Sequence, residues 1–265
     1  MSDRTRELFD PITLEVYWSR LISIADEAAT GLLRTAFSTI VRESNDYGTV
    51  LMDRNGDSIS ENTGGIASFS CILPRTTKAF LARFPIETWR PGDAVVTNDP
   101  WLATGHLPDF TVVTPIFHRG EIVGFAGSIA HSPDVGGALW SADCRELFEE
   151  GIRILPSRLM RGGEWNSDMV DLLCANVRVP KQVMGDLEAQ VVSNEVSVRR
   201  VVEFLEDTGF PISRGCPPTS RRAPIARCAA PSPPFRMAPT RLRSRPMDST
   251  SKRLASFAPS PSAAR

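Results

Sequence analysis

Two of the chain's three histidines and one aspartate flank a segment that is typical of a β-hairpin. The hairpin pattern consists of two apolar runs separated by a turn, namely Phe110–Phe117, His118-Arg119-Gly120 and Glu121–Ile129. If the two strands pair about that turn, the residue numbers of each facing pair sum to roughly 238. The open end of the hairpin is therefore expected to bring His106, Asp109 and His131 together, with Asp109 near Ile129. Two imidazoles and one carboxylate on a rigid element are typical of a divalent metal site with open coordination positions.

The residues around this predicted site favour the same interpretation. Gly105 and the Gly136-Gly137 pair allow the backbone to approach a ligand closely. Asp134, three residues after His131, is a candidate fourth ligand or a hydrogen-bond acceptor that holds an imidazole. The alternative is that the histidines are simply polar ends of two strands. His118, at the opposite turn, is expected to be an exposed loop residue.

The elements that must position these residues follow from the periodicity of apolar side chains. An Asp10 cap followed by Pro11 predicts a helix to about Phe37. Later segments predict the strands Tyr47–Met52 and Ala94–Thr97 and an extended segment at Gly151–Pro156. They also predict four helices, with Gly209 as a stop signal just beyond the last: Pro74–Phe84, Ala142–Glu150, Asn166–Asn176 and Lys181–Glu206. The predicted fold class is α+β, with a mixed or antiparallel sheet, a central hairpin and flanking helices.

The segment Thr63–Ser70 is rich in small and hydroxyl-bearing residues. Such a segment can bind an anionic or carbonyl ligand through its backbone N–H groups. A flexible connector between two elements explains the same composition equally well.

The charge of the chain is divided sharply between two parts. Residues 1–210 carry a net charge of −11, whereas residues 211–265 carry +10 and hold 11 of the 21 prolines. The second part has no helical or strand periodicity and too few apolar residues for a core, so a disordered tail is expected there. Such a tail can bind RNA or an acidic partner through charge alone. We favour instead a domain truncated near residue 210 and followed by an out-of-frame tail.

The composition also indicates a compartment. The five cysteines show no C-x-x-C spacing, which favours reduced thiols in a cytosolic protein. The polar amino terminus is unlike a signal peptide, and no apolar run approaches the roughly 20 residues of a membrane span. We therefore expect a cytoplasmic protein.

The motifs around the hairpin resemble those of the hydantoinase B/5-oxoprolinase family. The resemblance is carried by three segments and extends over residues 10–210: Asn98-Asp99-Pro100-Trp101, Gly105-His106-Leu107-Pro108-Asp109 and Ala130-His131-Ser132-Pro133-Asp134-Val135-Gly136-Gly137. In related carboxylases that act on acetone and acetophenone, the residues matching His106, Asp109 and His131 bind a divalent metal. Such a ligand set suits Zn, Mn or Fe(II). Two segments depart from the family pattern and bear on substrate choice: Ala103-Thr104-Gly105 and Asn62–Ser68.

The resemblance implies roles for further residues. Glu43 and Asp46 match a charged stretch of the family and are expected to line the site, with Asp46 contacting the substrate. A solvated loop is the alternative for both residues. Arg153 is expected to pair with a substrate carboxylate, the alternative being a surface salt bridge. Independently of the resemblance, Asp134 or Asp99 is expected to orient a water molecule or to act as general base.

The function that the resemblance implies is hydrolytic opening of a cyclic amide or imide, such as a hydantoin or 5-oxoproline. The chain contains no G-x-x-x-x-G-K-[S/T] phosphate loop. The resemblance implies that ATP and Mg belong to a separate subunit of the hydantoinase A type. Two alternatives stay open: a subunit of an ATP-dependent ketone carboxylase, and a non-catalytic remnant or adaptor with a basic tail. We expect no membrane partner, and we do not favour nucleic acid as a partner.

Overall fold

The structure is a computed structural model, and it describes residues 11–138, 141 and 143–209. The α-helices of these residues are α1 (Pro11–Thr35), α2 (Thr39–Ser44), α3 (Ala67–Arg83), α4 (Leu147–Glu150), α5 (Ser167–Asn176) and α6 (Pro180–Thr208). The strands are β1 (Tyr47–Asp53), β2 (Ser58–Glu61), β3 (Ala94–Thr97), β4 (Asp109–His118), β5 (Glu121–His131), β6 (Ser157–Arg161) and β7 (Glu164–Trp165). Residues 211–265, where a disordered tail was predicted, lie outside the described residues.

The strands form one antiparallel sheet in the order β2-β1-β5-β4-β3-β6-β7. This sheet and its flanking helices confirm the predicted α+β class. The predicted central hairpin is the β4–β5 pair, which lies in the middle of the sheet. The residues of the predicted metal site are therefore attached to the part of the sheet that is held by neighbours on both sides.

Helices cover both faces of the sheet. On one face, Phe69, Leu73 and Phe80 of α3 pack against side chains of β1, β3, β4 and β5. On the other face, Leu21 of α1 and Phe204 of α6 pack against side chains of β1, β4 and β5 that point the opposite way. Because both faces are covered, the two hairpin strands are buried over almost their whole length. A site at the end of this hairpin therefore rests on a well-packed support.

The long carboxy-terminal helix matches its prediction closely. Helix α6 spans Pro180–Thr208, with Pro180 at its start. Gly209 ends it in the left-handed conformation, with φ 61°, as a glycine at this position commonly does. Within the described residues, no helix is long and apolar enough to cross a membrane.

Helix α3 begins earlier than predicted. The apolar pattern predicted a start at Pro74, but the helix begins at Ala67 and contains Pro74 in its interior. The missing N–H of an internal proline costs stability. Burial of Phe69 and Leu73 against the sheet offsets that cost. The segment Thr63–Ser70, for which a ligand-binding segment and a flexible connector were both left open, is consequently half helical.

The hairpin pairs in a register two positions away from the predicted one. Asp109 lies opposite His131, so the paired numbers sum to 240 at the open end. The turn consists of Arg119 and Gly120, with φ 51° and 82°, and a bulge precedes it at Ile116/Phe117. Since side chains alternate with a period of two, a shift of two leaves each side chain on its predicted face.

The prediction that His118 is an exposed loop residue is wrong. His118 is the last residue of β4 and is only 8% exposed. It follows Ile116 by two positions, and Ile116 packs in the cluster formed with α1 and α6. The turn begins one residue later than predicted, and the strand therefore turns His118 toward that covered face.

Candidate metal centre

One carboxylate contacts both histidines at the open end of the hairpin. Asp109 opens β4 and His131 ends β5, and the two residues are paired directly across the strands. Asp109 Oδ1 lies 2.9 Å from His131 Nδ1, and Asp109 Oδ2 lies 2.8 Å from His106 Nε2. The three residues predicted from the sequence therefore converge in the structure.

The geometry of this cluster fits a divalent metal ion. One ligand atom from each of the three residues lies within 4.8 Å of the other two. His131 and Asp109 are 1% and 2% exposed, whereas the His106 side chain is 40% exposed. The cluster thus has a buried floor and one side open to solvent, as a site that exchanges ligands requires. Two imidazole nitrogens and a carboxylate oxygen are donors that Zn, Mn and Fe(II) accept.

The electrostatics of the cluster are dominated by Asp109. Burial by itself raises the pKa of Asp109, but hydrogen bonds with His106 and His131 outweigh burial and lower the pKa to about 2. The hydrogen bond to Asp109 raises the pKa of His106 against the opposing effect of partial burial, and Glu150 and Asp46 add to that rise. Negative charge thus surrounds the imidazoles, which favours a cation at the site.

Asp46 reaches the same cluster from a different part of the fold. Its carboxylate Oδ2 lies 3.6 Å from His131 Nδ1, and its backbone carbonyl accepts a hydrogen bond from the His131 N–H at 3.1 Å. Burial raises the pKa of Asp46, and the charge of Asp109 adds to the effect. The prediction that Asp46 lines the site agrees with this placement. Glu43, which was predicted to line the site with it, is an exposed residue of α2.

Two residues at the site were assigned no role from the sequence. The Asn98 amide donates to the carbonyls of Leu107 and Ile152, at 2.8 and 2.9 Å, and accepts from the Ile154 N–H at 2.6 Å. Asn98 thereby holds the loop after His106 against residues 152–154. Glu150 Oε2 accepts the Leu107 N–H at 3.3 Å. The Asn98 motif is visible in the sequence, but only long-range contacts reveal what these two side chains hold.

Asp99, a predicted base, and Arg153, the residue predicted to bind a substrate carboxylate, form an ion pair. Arg153 Nη2 donates to Asp99 Oδ2 at 2.8 Å, and Asp99 Oδ1 accepts the Trp101 N–H at 3.1 Å. Asp99 is 3% exposed, whereas the Arg153 side chain is 34% exposed. Since Asn98 bonds to Leu107 and to both neighbours of Arg153, the guanidinium is carried on a segment that runs beside His106.

The carboxylate of Asp134 is engaged by backbone donors rather than directed to the histidines. Asp134 Oδ1 accepts from the Gly136 N–H at 2.9 Å and from Arg178 Nη1 at 3.0 Å. Its Oδ2 accepts from the N–H groups of Arg178 and Val179, immediately before α6. These are the contacts of an anchor between the loop after β5 and the start of α6. The base role predicted for Asp134 stays a prediction.

Gly136 and Gly137 were predicted to let the backbone approach a ligand. They lie instead against other segments of the protein backbone. A Cβ on Gly136 would lie 2.2 Å from the Asn176 carbonyl oxygen, and one on Gly137 would lie 2.3 Å from the Glu149 carbonyl oxygen. Gly105 differs, because a Cβ there would meet nothing within 4 Å, but its φ of 104° favours glycine. The glycines therefore close the loop and set the path of the chain around the site.

The comparisons with known proteins agree with this geometry. The model of the family described as hydantoinase B/oxoprolinase matches residues 10–216. The chain belongs to this family. An uncharacterised protein of Methanocaldococcus jannaschii is 35% identical over 209 residues, which are 76% of this chain and 36% of that protein. A protein of Pseudomonas sp. that is named as a subunit of a D-/L-hydantoinase is 31% identical over 207 residues, covering 76% and 35% of the two chains.

The fold is also found in a solved structure. The crystal structure of the ATP-dependent caprolactamase from Pseudomonas jessenii superposes with a TM-score of 0.67 at 28% sequence identity. The match covers 76% of this chain and 35% of that chain. The chain thus spans about a third of the length of these relatives.

Proposed function

We propose that this chain carries the divalent metal centre of a hydrolase that opens cyclic amides or imides, such as hydantoin or 5-oxoproline. The observation that carries the proposal is the convergence of His106, Asp109 and His131 at the end of one buried hairpin. Family membership supports the reaction class, as do the names of the relatives, which include a hydantoinase subunit and an ATP-dependent caprolactamase.

In this proposal, three side chains of the cluster hold the metal ion and a fourth contacts the substrate. His106, Asp109 and His131 hold the ion, which is Zn, Mn or Fe(II). Bound there, such an ion supplies Lewis acidity that polarises a carbonyl or lowers the pKa of a water molecule. Asp46, beside His131, contacts the substrate from the buried side of the cluster. A substrate enters from the side on which His106 is exposed to solvent.

Arg153 and Asp99 act as a pair in this proposal. The partly exposed guanidinium of Arg153 has the donor geometry to hold a substrate carboxylate. Asp99 fixes the guanidinium through Oδ2 and fixes the turn at Trp101 through Oδ1. We therefore assign Asp99 to orienting Arg153 and favour that role over the predicted one of general base. The carboxylate recognition favours 5-oxoproline among the ring substrates.

A second subunit completes the enzyme in this proposal. Relatives are described as subunits, and this chain spans about a third of their length. Because these relatives are named as subunits, we assign ATP and Mg to a partner of the hydantoinase A type. The ketone carboxylase and the non-catalytic remnant or adaptor stay as alternatives.

The proposal is tested first by metal content. The purified chain and its His131→Ala variant are analysed for bound Zn, Mn and Fe, with circular dichroism to verify that both are folded. His118→Gln is the matched control, because it removes the imidazole at the other end of the same hairpin. We expect about one metal ion per chain in the wild type and in the control, and loss of that ion in His131→Ala. A folded wild type that binds none of these metals would overturn the site.

The reaction class is tested with the same variants. Hydantoin, 5-oxoproline and caprolactam are supplied with ATP and an ATP-binding partner subunit, with and without bicarbonate. Ring opening that is independent of bicarbonate and lost in His131→Ala supports the hydrolase. Dependence on bicarbonate with a ketone substrate would support the carboxylase instead.

A further inference from the structure

A buried carboxylate on α6 caps the start of the short helix α2. Asp186 is 4% exposed, and its Oδ1 accepts hydrogen bonds from the N–H groups of Phe37 and Ser38 at 2.7 and 3.0 Å. Ser38 is itself the N-cap residue of α2 and accepts the Val41 N–H at 3.4 Å. Backbone donors at the start of α2 are thus satisfied by a side chain that lies 148 positions away in the sequence.

The residue next to Asp186 makes room for the same corner of the chain. A Cβ on Gly185 would lie 2.4 Å from Cδ2 of the Phe37 ring. A larger side chain at this position would therefore displace Phe37. Two consecutive residues of a rigid 29-residue helix consequently fix the corner between α1 and α2.

The other end of α2 delivers Asp46 to the metal centre. The helix spans only six residues, from Thr39 to Ser44. Asn45 ends it in the left-handed conformation with φ 53°, and Asp46 follows. The Asp46 carbonyl accepts the His131 N–H at 3.1 Å, and its carboxylate lies 3.6 Å from His131 Nδ1. Because a helix this short is not stable alone, its position depends on the contacts at its ends and on Val41, which packs in the core.

We propose that Asp186 is a positioning residue that sets the place of Asp46 beside His131 through α2. The hydrogen bonds of Asp186 go to the corner that precedes α2, so its effect on Asp46 passes through the backbone of that helix. Both of these bonds end on Oδ1. An amide oxygen can accept both bonds as well, so Asp186→Asn separates the contribution of these hydrogen bonds from that of the charge. The link to metal binding rests on the proposed function, whereas the positioning of Asp46 does not.

The test compares Asp186→Ala and Asp186→Asn with Phe204→Ala. Phe204 lies near the other end of α6, against Tyr17 of α1, and so controls for a general loss of stability. In the metal-free protein, hydrogen exchange of the His131 amide reports directly on its bond to Asp46. We expect this amide to exchange at least about tenfold faster in Asp186→Ala than in Phe204→Ala when both are compared at equal global stability. Asp186→Asn is expected to exchange as the wild type does.

Metal affinity gives the second readout. We expect Asp186→Ala to weaken the binding of added Zn²⁺ or Mn²⁺ about tenfold, as removal of a group that orients a metal site typically does. In an Asp46→Asn background the same substitution should weaken metal binding less than it does in the wild type, because the Asp46 carboxylate, through which part of the effect passes, is already absent. Equal effects of Asp186→Ala and Phe204→Ala on the His131 amide would overturn the proposal. A wild type that binds no metal would overturn the proposed function, and the exchange measurement would still decide the role of Asp186.

Discussion

The carboxylate of Asp109 lies between two imidazoles, 2.9 Å from His131 Nδ1 and 2.8 Å from His106 Nε2. Because Asp109 opens β4 directly opposite the last residue of β5, the sheet itself fixes the distance between the donors. His106 alone belongs to a loop, and Asn98 holds that loop through the Leu107 carbonyl. Asp109 and His131 are therefore fixed by the sheet, whereas His106 is held in place by the contacts of its loop.

Removal of the Asp109 charge should strongly weaken metal binding without removing the fold. We expect Asp109→Asn to weaken metal affinity by at least about 100-fold, since even groups behind the ligands cost roughly 10–100-fold. The measurement is a titration of the metal-free protein with Zn²⁺ or Mn²⁺. Asp57→Asn is the control, because Asp57 forms an exposed ion pair with Lys78 away from the cluster. Equal affinities in the two variants would contradict the ligand assignment.

The metal-free protein should lose stability in acid through the same residue. The pKa of Asp109 is lowered from 3.8 to about 2 in the folded protein. A lowered pKa contributes stability that is present above about pH 4 and is lost as the pH falls toward about 2. The shift corresponds to about 2 kcal/mol. The measurement is chemical denaturation of wild type and Asp109→Asn between about pH 5 and pH 2 in the presence of a chelator. The difference between the two proteins should shrink by that amount over this range, whereas a constant difference would contradict the pKa.

Asp134 should matter to stability more than to metal binding. Its carboxylate accepts hydrogen bonds from Gly136, from Val179 and from both the backbone and the side chain of Arg178. Loss of several charge-assisted bonds at a buried position costs about 3 kcal/mol. We expect Asp134→Ala to lower the free energy of unfolding by that amount while its metal affinity stays near that of the wild type. Loss of metal with unchanged stability would instead favour the predicted role as a fourth ligand.

The sequence was sufficient to predict that these three residues converge because hairpin pairing is local. His106, Asp109 and His131 lie within 26 positions of one another, and direct cross-strand pairing puts two of them on one face. The register was wrong by two positions, but a shift of two preserves the face. The pattern of apolar side chains also predicted α6 and its end at Gly209.

Contacts between segments that are distant in the sequence could not be predicted from local patterns. The bonds between Asp99 and Arg153, between Asp134 and Arg178, and between Asp186 and Phe37 join residues that are 54, 44 and 149 positions apart. Local propensity and periodicity carry no information about such pairs. The short helix α2 was likewise missed, because six residues are too few for a periodic pattern and its stability comes from its capped ends and from the packing of Val41 in the core.

The Asp99–Arg153 pair leads to a prediction about substrate choice. Removing Arg153 alone would leave the buried Asp99 carboxylate without its partner, which is costly in itself. The informative variant is therefore the double substitution Arg153→Met with Asp99→Asn. The amide that replaces the Asp99 carboxylate keeps an acceptor for the Trp101 N–H, so the turn that carries Trp101 is retained.

This double variant should discriminate between ring substrates with and without a carboxylate. A hydrogen bond to a charged group contributes about 1.5–3 kcal/mol, which corresponds to a rise in KM for 5-oxoproline of at least about tenfold. Caprolactam has no carboxylate, so its KM should change little, and it serves as the control within the same protein. The measurement is steady-state ring opening with ATP and the partner subunit. Equal changes for both substrates would show that the pair supports the fold of the site rather than the binding of a carboxylate.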